Sequence, residues 1–234
     1  MEPYSVMLLA AGRGMRLRPL TDEIPKPLLS LNGVSLIERH LYTLAGHCKQ
    51  VLINIAWKGE LIREHLGDGS RYGLHIVYSD EGEQALETAG GIRHALPLLA
   101  GDTLLVINAD VYTDWPIVPP PVVPTGCLAH LLLVDNPEDH PQGDFFFKGG
   151  RIKPDRGTRL TFSGMACYRR ELFERLADGR CKLSQVLHAA MNAQQLSAEH
   201  YKGLWLNVGT AKQLNRARQI HAARSEQKKH IQRS

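Results

Sequence analysis

The sequence predicts an α/β protein, a Rossmann-like, doubly wound and mostly parallel sheet with helices on both faces, folded as a single domain. A short continuous apolar run at 6–11, with largely apolar stretches at 50–55 and 103–108, fits strands buried on both faces. Stretches with helical spacing lie between them, so strands and helices alternate in the order that builds parallel sheets. With 234 residues, 43% hydrophobic and 22% charged, the chain is long enough for one substantial core.

The run at 6–11 ends in Gly12 and Gly14, which predicts a buried strand opening into a glycine loop. Leu36, Ile37, Leu41 and Leu44 then recur at helical spacing over 35–44, and 50–55 reads as the second strand. Leu61, Ile62, His65 and Leu66 suggest a second helix, stopped by Gly67 and Gly69, before a third strand at 75–78. Residues 88–99 read as a helix, 103–108 as the fourth strand, 116–124 as a proline-rich loop, and 127–134 as a fifth parallel strand. Shorter, partly antiparallel strands are expected at 145–147, 151–153 and 160–168, and helices near 170–177, 183–193 and from 210 onward. In a sheet of this kind ligands sit at the carboxyl ends of the strands.

The chemistry is densest where the first strand ends, in Leu8-Leu9-Ala10-Ala11-Gly12-Arg13-Gly14-Met15-Arg16-Leu17-Arg18-Pro19-Leu20-Thr21. Glycines let backbone N–H groups approach phosphate oxygens, and arginines supply forked donors for them. Leu17 breaks the six-residue dinucleotide fingerprint and no Walker A sequence occurs, so a different phosphate loop is required. This stretch, with Pro25-Lys26-Pro27-Leu28 shortly after it, closely resembles the signature of the sugar-phosphate nucleotidyltransferases. The resemblance implies a magnesium-dependent enzyme that joins a nucleoside triphosphate to a sugar 1-phosphate and releases pyrophosphate. It gives Ala10, Ala11, Gly12, Arg13 and Gly14 to the substrate, Arg16 to the triphosphate tail and Lys26 to the reacting phosphates.

Further segments extend the match. Leu86-Glu87-Thr88-Ala89-Gly90-Gly91 is a small-residue turn opening a helix, and the resemblance makes Glu87, Thr88 and Gly90 nucleotide contacts; Asn108, Gly143 and Lys182 complete the implied substrate set. The strand through Asn108 ends in Asp110, a carboxylate whose hard oxygens suit magnesium. The family's second metal ligand is expected from a Trp-x-Asp-Val-Gly-Thr segment, and here Trp205-Leu206-Asn207-Val208-Gly209-Thr210 places Asn207 where the carboxylate belongs. The amide oxygen still offers a ligand but brings no charge. Among members of the family the chain is most similar to the short bacterial uridylyltransferases that use N-acetylmuramic acid 1-phosphate in cell-wall recycling, which implies UTP as donor. The alternatives are another acceptor, such as a hexose 1-phosphate or phosphocholine, and a catalytically weakened nucleotide-sugar-binding protein with Asn207 as its lesion.

Composition narrows the setting. Cys48, Cys127, Cys167 and Cys181 are widely spaced and the histidines form no H-E-x-x-H pattern, which argues against a disulfide framework or a zinc site. The first apolar run is too short to cross a membrane and its basic residues follow it, unlike a secretory signal, so the expectation is a cytoplasmic protein, a monomer by preference. The resemblance covers 1–211 as the nucleotidyltransferase domain, leaving 212–234 as a basic C-terminal helix or tail. That tail holds Lys212, Arg216, Arg218, Arg224, Lys228, Lys229 and Arg233 against Glu226, a balance of +6 in a chain of net charge +4. It has no aromatic residue for stacking and few large apolar ones, so neither nucleic acid nor a membrane is expected as a partner.

Overall fold

The computed structural model describes residues 4–82 and 85–231, with side chains described to residue 226; Arg233, and the side chains of Lys228 and Lys229, counted in the basic tail, lie outside the described residues. The strands in chain order are β1 (Tyr4–Leu9), β2 (Ser30–Leu31), β3 (Val34–Ser35), β4 (Gln50–Ile55), β5 (His75–Asp80), β6 (Thr103–Asn108), β7 (Val111–Thr113), β8 (Ala129–Val134), β9 (Phe145–Lys148), β10 (Arg151–Lys153), β11 (Thr158–Arg169), β12 (Leu196–Tyr201) and β13 (Trp205–Asn207). The α-helices are α1 (Leu20–Glu23), α2 (Leu36–Leu44), α3 (Gly59–Leu66), α4 (Glu87–Ala95), α5 (Glu171–Glu174), α6 (Leu183–Asn192) and α7 (Ala211–Ile231).

Nine strands form one sheet in the order β5-β4-β1-β6-β11-β8-β12-β10-β9. The first four are mutually parallel. Alternate residues of β1 feed opposite faces: Val6 and Leu8 join Ile37, Leu41 and Leu44 of α2 and Ile62 and Leu66 of α3, whereas Met7 joins Ala89 and Ile92 of α4 and Val186 and Leu187 of α6. Both faces of the strand are therefore buried, which is why it reads as an unbroken apolar run. A fully buried Leu or Ile contributes about 1.5–3 kcal/mol, so these two layers supply much of the stability. The chain winds β1-β4-β5 on one side and then crosses to β6 on the other side of β1. That reversal opens a crevice at the carboxyl ends of β1 and β6.

The second half departs from the simple winding. The strand expected at 127–134 does run parallel to β8's partner β12 and in the same direction as β6, but β11 is inserted antiparallel between β6 and β8. The helix expected over 88–99 stops at Ala95, because Pro97 cannot continue it and the chain tightens into a 3₁₀ turn at Leu96–Leu98. The β12 strand, with its mixed sequence, and the small pairs β2–β3 and β7–β13 had no apolar run to announce them. Starting at Ala211, α7 buries Leu214 and Ala217 against Leu17, Leu31, Tyr112 and Val208, so the first turns of the basic segment are packed rather than solvated. No helix among the described residues is long and apolar enough to cross a membrane.

Candidate active site

A cleft of about 340 Å³ lies at the crevice between β1 and β6. Of the residues singled out from sequence, Ala10, Ala11, Gly12, Gly14, Lys26, Glu87, Thr88, Asn108 and Asp110 line it. Gly14 has φ +66°, and a Cβ there would stand 2.9 Å from Thr21 Cγ2 and 3.1 Å from Lys26 Cβ. Both the backbone and the space demand glycine, and the result is a loop folded tightly onto the lysine. Thr21 Oγ1 donates to the Gly14 carbonyl at 3.0 Å and fixes that turn.

Lys26 is held between two prolines in a short 3₁₀ turn, with its side chain only 12% exposed, and its Nζ donates to Asp110 Oδ2. The other carboxylate oxygen, Asp110 Oδ1, is buried and has no hydrogen-bond partner; so is Asn207 Oδ1. The two residues are 97 positions apart in sequence and are joined by the β7–β13 pair. Asn207 stands opposite Val111 in that ladder, and the Val208 N–H donates to the Asp110 carbonyl at 3.0 Å. Behind this pair His40 is fully buried, and desolvation drives its pKa down to about 4 in spite of its bond to the Val111 backbone, so it is a neutral ring at pH 7. Buried oxygens without partners are costly unless something else satisfies them. No group of three or more His, Cys, Asp and Glu is placed to hold a metal among the described residues. One carboxylate and one amide oxygen next to the glycine loop nevertheless suit magnesium, which takes few protein ligands and fills its shell with phosphate and water.

The opposite wall is braced by Asn54, which no sequence motif marks, and by Glu81 of a segment that supports the family resemblance. Asn54 interrupts the apolar β4, accepts from the Ala10 N–H at 2.8 Å through Oδ1 and donates to Glu81 Oε1 at 2.6 Å through Nδ2. Glu81 Oε2 accepts from the Leu86 N–H at 2.7 Å. This chain of bonds ties the glycine loop to the turn before α4. The signal that could have revealed it is a buried amide inside a run of aliphatic residues. Leu9, Pro27, Ala85 and Arg180 also line the cleft.

Other expected contacts lie off the wall. Arg13 stacks on Trp57 with its guanidinium carbon 4.4 Å from the ring centre. Arg16 leans on the turn after β13, where a Cβ on Gly209 would come within 2.8 Å of its Nη2. Gly90 serves packing: a Cβ there would stand 2.2 Å from the Gly179 carbonyl oxygen. Gly143, at φ +59°, fits against Asn136 and the Leu160 carbonyl, and Lys182 precedes α6.

Residues 5–118 match the Nucleotidyl transferase family. The chain is 45% identical to an N-acetylmuramate alpha-1-phosphate uridylyltransferase of Neisseria meningitidis serogroup B, across 93% of this chain and 98% of that protein. It is 31% identical to a protein of the same name from Caulobacter vibrioides, across 88% and 92%. Among solved structures, HddC from Yersinia pseudotuberculosis superposes with a TM-score of 0.75 at 18% identity, covering 94% of this chain and all of that one, a likeness of fold. The glycine loop, Lys26 and the strand-end Asp110 meet in one cleft, and two relatives matched over nearly the whole chain are 45% and 31% identical to it: the chain belongs to the nucleotidyltransferase family and is a nucleotidyltransferase enzyme.

Proposed function

We propose that this enzyme transfers UMP from UTP to N-acetylmuramic acid 1-phosphate, giving a UDP-sugar and pyrophosphate, as a cytoplasmic step of cell-wall recycling. The observation that carries the chemistry is the pair of buried, unpartnered oxygens on Asp110 and Asn207 beside Lys26 at the end of the glycine loop. The names of the two full-length relatives support the donor and the acceptor.

In the reaction an acceptor phosphate oxygen attacks the α-phosphorus of UTP in line, and the bond to the bridging oxygen breaks as pyrophosphate leaves. A phosphate monoester attacks already ionised, so no general base is assigned. Backbone amides of the loop from Ala11 to Gly14 hold phosphate oxygens, and Lys26 Nζ neutralises charge on the reacting group. Magnesium held by Asp110 and Asn207 would add positive charge where the triphosphate oxygens develop more negative charge. Asn54 and Glu81 brace the backbone on which the nucleoside rests.

The test is to present four nucleoside triphosphates against a panel of sugar 1-phosphates with magnesium and to follow pyrophosphate release. UTP with N-acetylmuramic acid 1-phosphate is expected to give the highest kcat/KM. A clear preference for another base or for a hexose 1-phosphate overturns the assignment.

A further inference from the structure

At the carboxyl ends of β1, β4 and β5 the backbone ladder stops, but the hydrogen bonding continues through side chains. The last pair of β1 and β4 is Leu9 with Asn54, and that of β4 and β5 is Ile55 with Asp80. One step beyond, the Ala10 N–H donates to Asn54 Oδ1 at 2.8 Å, Asn54 Nδ2 donates to Glu81 Oε1 at 2.6 Å, and Glu81 Oε2 accepts from the Leu86 N–H at 2.7 Å. Ala10 leads into the glycine loop and Leu86 into α4, so this row of bonds runs from one cleft wall to the other.

The polarity of the row is fixed. Both of its ends are backbone N–H groups, so residues 54 and 81 must each accept outward, and between themselves one must donate and the other accept. An amide facing a carboxylate meets that demand. Two amides leave a pair of donors face to face somewhere in the row, and two carboxylates repel. Asn54 is only 3% exposed, so a misfit there has no water to turn to. Packing leaves no slack either: a Cβ on Gly91 of α4 would stand 2.3 Å from Glu81 Oε1 and 3.1 Å from Asn54 Nδ2.

Resting on the nucleotide site proposed above, we infer that Asn54 and Glu81 are positioning residues that set how well the cleft takes a whole nucleotide relative to its parts. They hold the glycine loop and the turn before α4 at a fixed spacing that a nucleoside triphosphate bridges, so the end bound at one wall delivers the other end to its own. Neither side chain has to touch the reacting atoms.

The experiment measures binding of UTP and of pyrophosphate, each with magnesium and without acceptor, by titration calorimetry. The proteins are the wild type, Asn54→Asp, Glu81→Gln and the double variant carrying both changes, with Tm recorded for each. Asn54→Asp sets two carboxylates against each other and Glu81→Gln two donors. The double variant rebuilds every bond with the roles of 54 and 81 exchanged and the net charge restored. Each single variant is expected to weaken UTP about tenfold or more, as the loss of a buried charge-assisted bond implies, and the double variant to recover most of that. Pyrophosphate, which meets the glycine loop alone, keeps close to its wild-type affinity throughout. Charge alone would move the single variants in opposite directions, since one adds a negative charge and the other removes one. Opposite shifts for UTP, a double variant no better than the weaker single, or equal losses for pyrophosphate and UTP overturn the inference and leave the nucleotide site in place. A wild type that binds neither ligand removes the nucleotide site, and the inference with it.

Discussion

Replacing Asn207 by Asp adds a negative charge beside Asp110, where two buried oxygens already lack partners. For charges about 4 Å apart, Coulomb's law at an effective dielectric of about 20 gives about 4 kcal/mol of repulsion. Lys26, already bound to Asp110, and local relaxation offset part of this. The net cost in chelator is expected to be about 1–2 kcal/mol, which for a domain of this size lowers Tm by about 2–8 °C. With magnesium and UTP the sign reverses. The added carboxylate binds the ion with charge as well as a lone pair, so half-saturating magnesium falls about tenfold and turnover rises, with a smaller effect on KM for UTP. The assay is thermal unfolding in EDTA and across a magnesium titration with UTP, alongside pyrophosphate release. A Tm change that is the same with and without magnesium, together with turnover no faster at any magnesium concentration, refutes a metal site at Asn207. It would also favour reading the chain's Trp205–Asn207 strand as purely structural.

Lys26→Ala is expected to cut turnover by about ten- to a hundredfold, while Arg16→Ala acts mainly by raising KM for UTP; negligible, equal effects in steady-state kinetics would show that the loop does not bind phosphate. Glu38 caps α2: burial pushes its carboxyl up, but bonds from the Ser35 hydroxyl and N–H, His65 and Tyr72 outweigh that and hold it at about 2. Its folded pKa lies below the unfolded one, so the stability it gives is present above the usual carboxylate range and is lost as pH falls toward 2. Glu38→Gln should therefore cost about 2 kcal/mol at pH 7, and the Tm gap to wild type should close by pH 2; a gap of constant width contradicts the assignment. Gly90→Ala drives a Cβ into the Gly179 carbonyl and should lower Tm by several degrees in thermal unfolding; an unchanged Tm would show that the close approach is not needed.

The first half of the fold was legible because its strands are buried on both faces: β1, β4 and β6 are apolar at most positions, and α2 shows its buried stripe in Leu36, Ile37, Leu41 and Leu44. The insertion of β11 between β6 and β8 was not legible, since it depends on β11 pairing with β6 residues some sixty positions away and on a register shift between Phe162 and Ala166 in its pairing with β8. β12 escaped because Glu199, His200 and Tyr201 are only partly buried and break any apolar run. In the site, the glycine loop, Lys26 and Asp110 carried their chemistry in local sequence. Asn54 and Arg180 did not: one acts through two bonds across strands, and the other reaches the cleft only through backbone bonds from Ala89 and Gly90 to the Cys181 carbonyl. The meeting of Asp110 with Asn207 was implied by resemblance, and three-residue strands too short to predict bring it about.

The most direct measurement mixes the purified chain with magnesium, UTP and N-acetylmuramic acid 1-phosphate and identifies the products by mass, with Asp110→Ala run in parallel. Equal amounts of UDP-sugar and pyrophosphate are expected from the wild type, with a loss of roughly a hundredfold or more in the variant, whose fold survives. Release of inorganic phosphate instead of pyrophosphate, or a folded Asp110→Ala variant as fast as wild type at limiting magnesium, would contradict it.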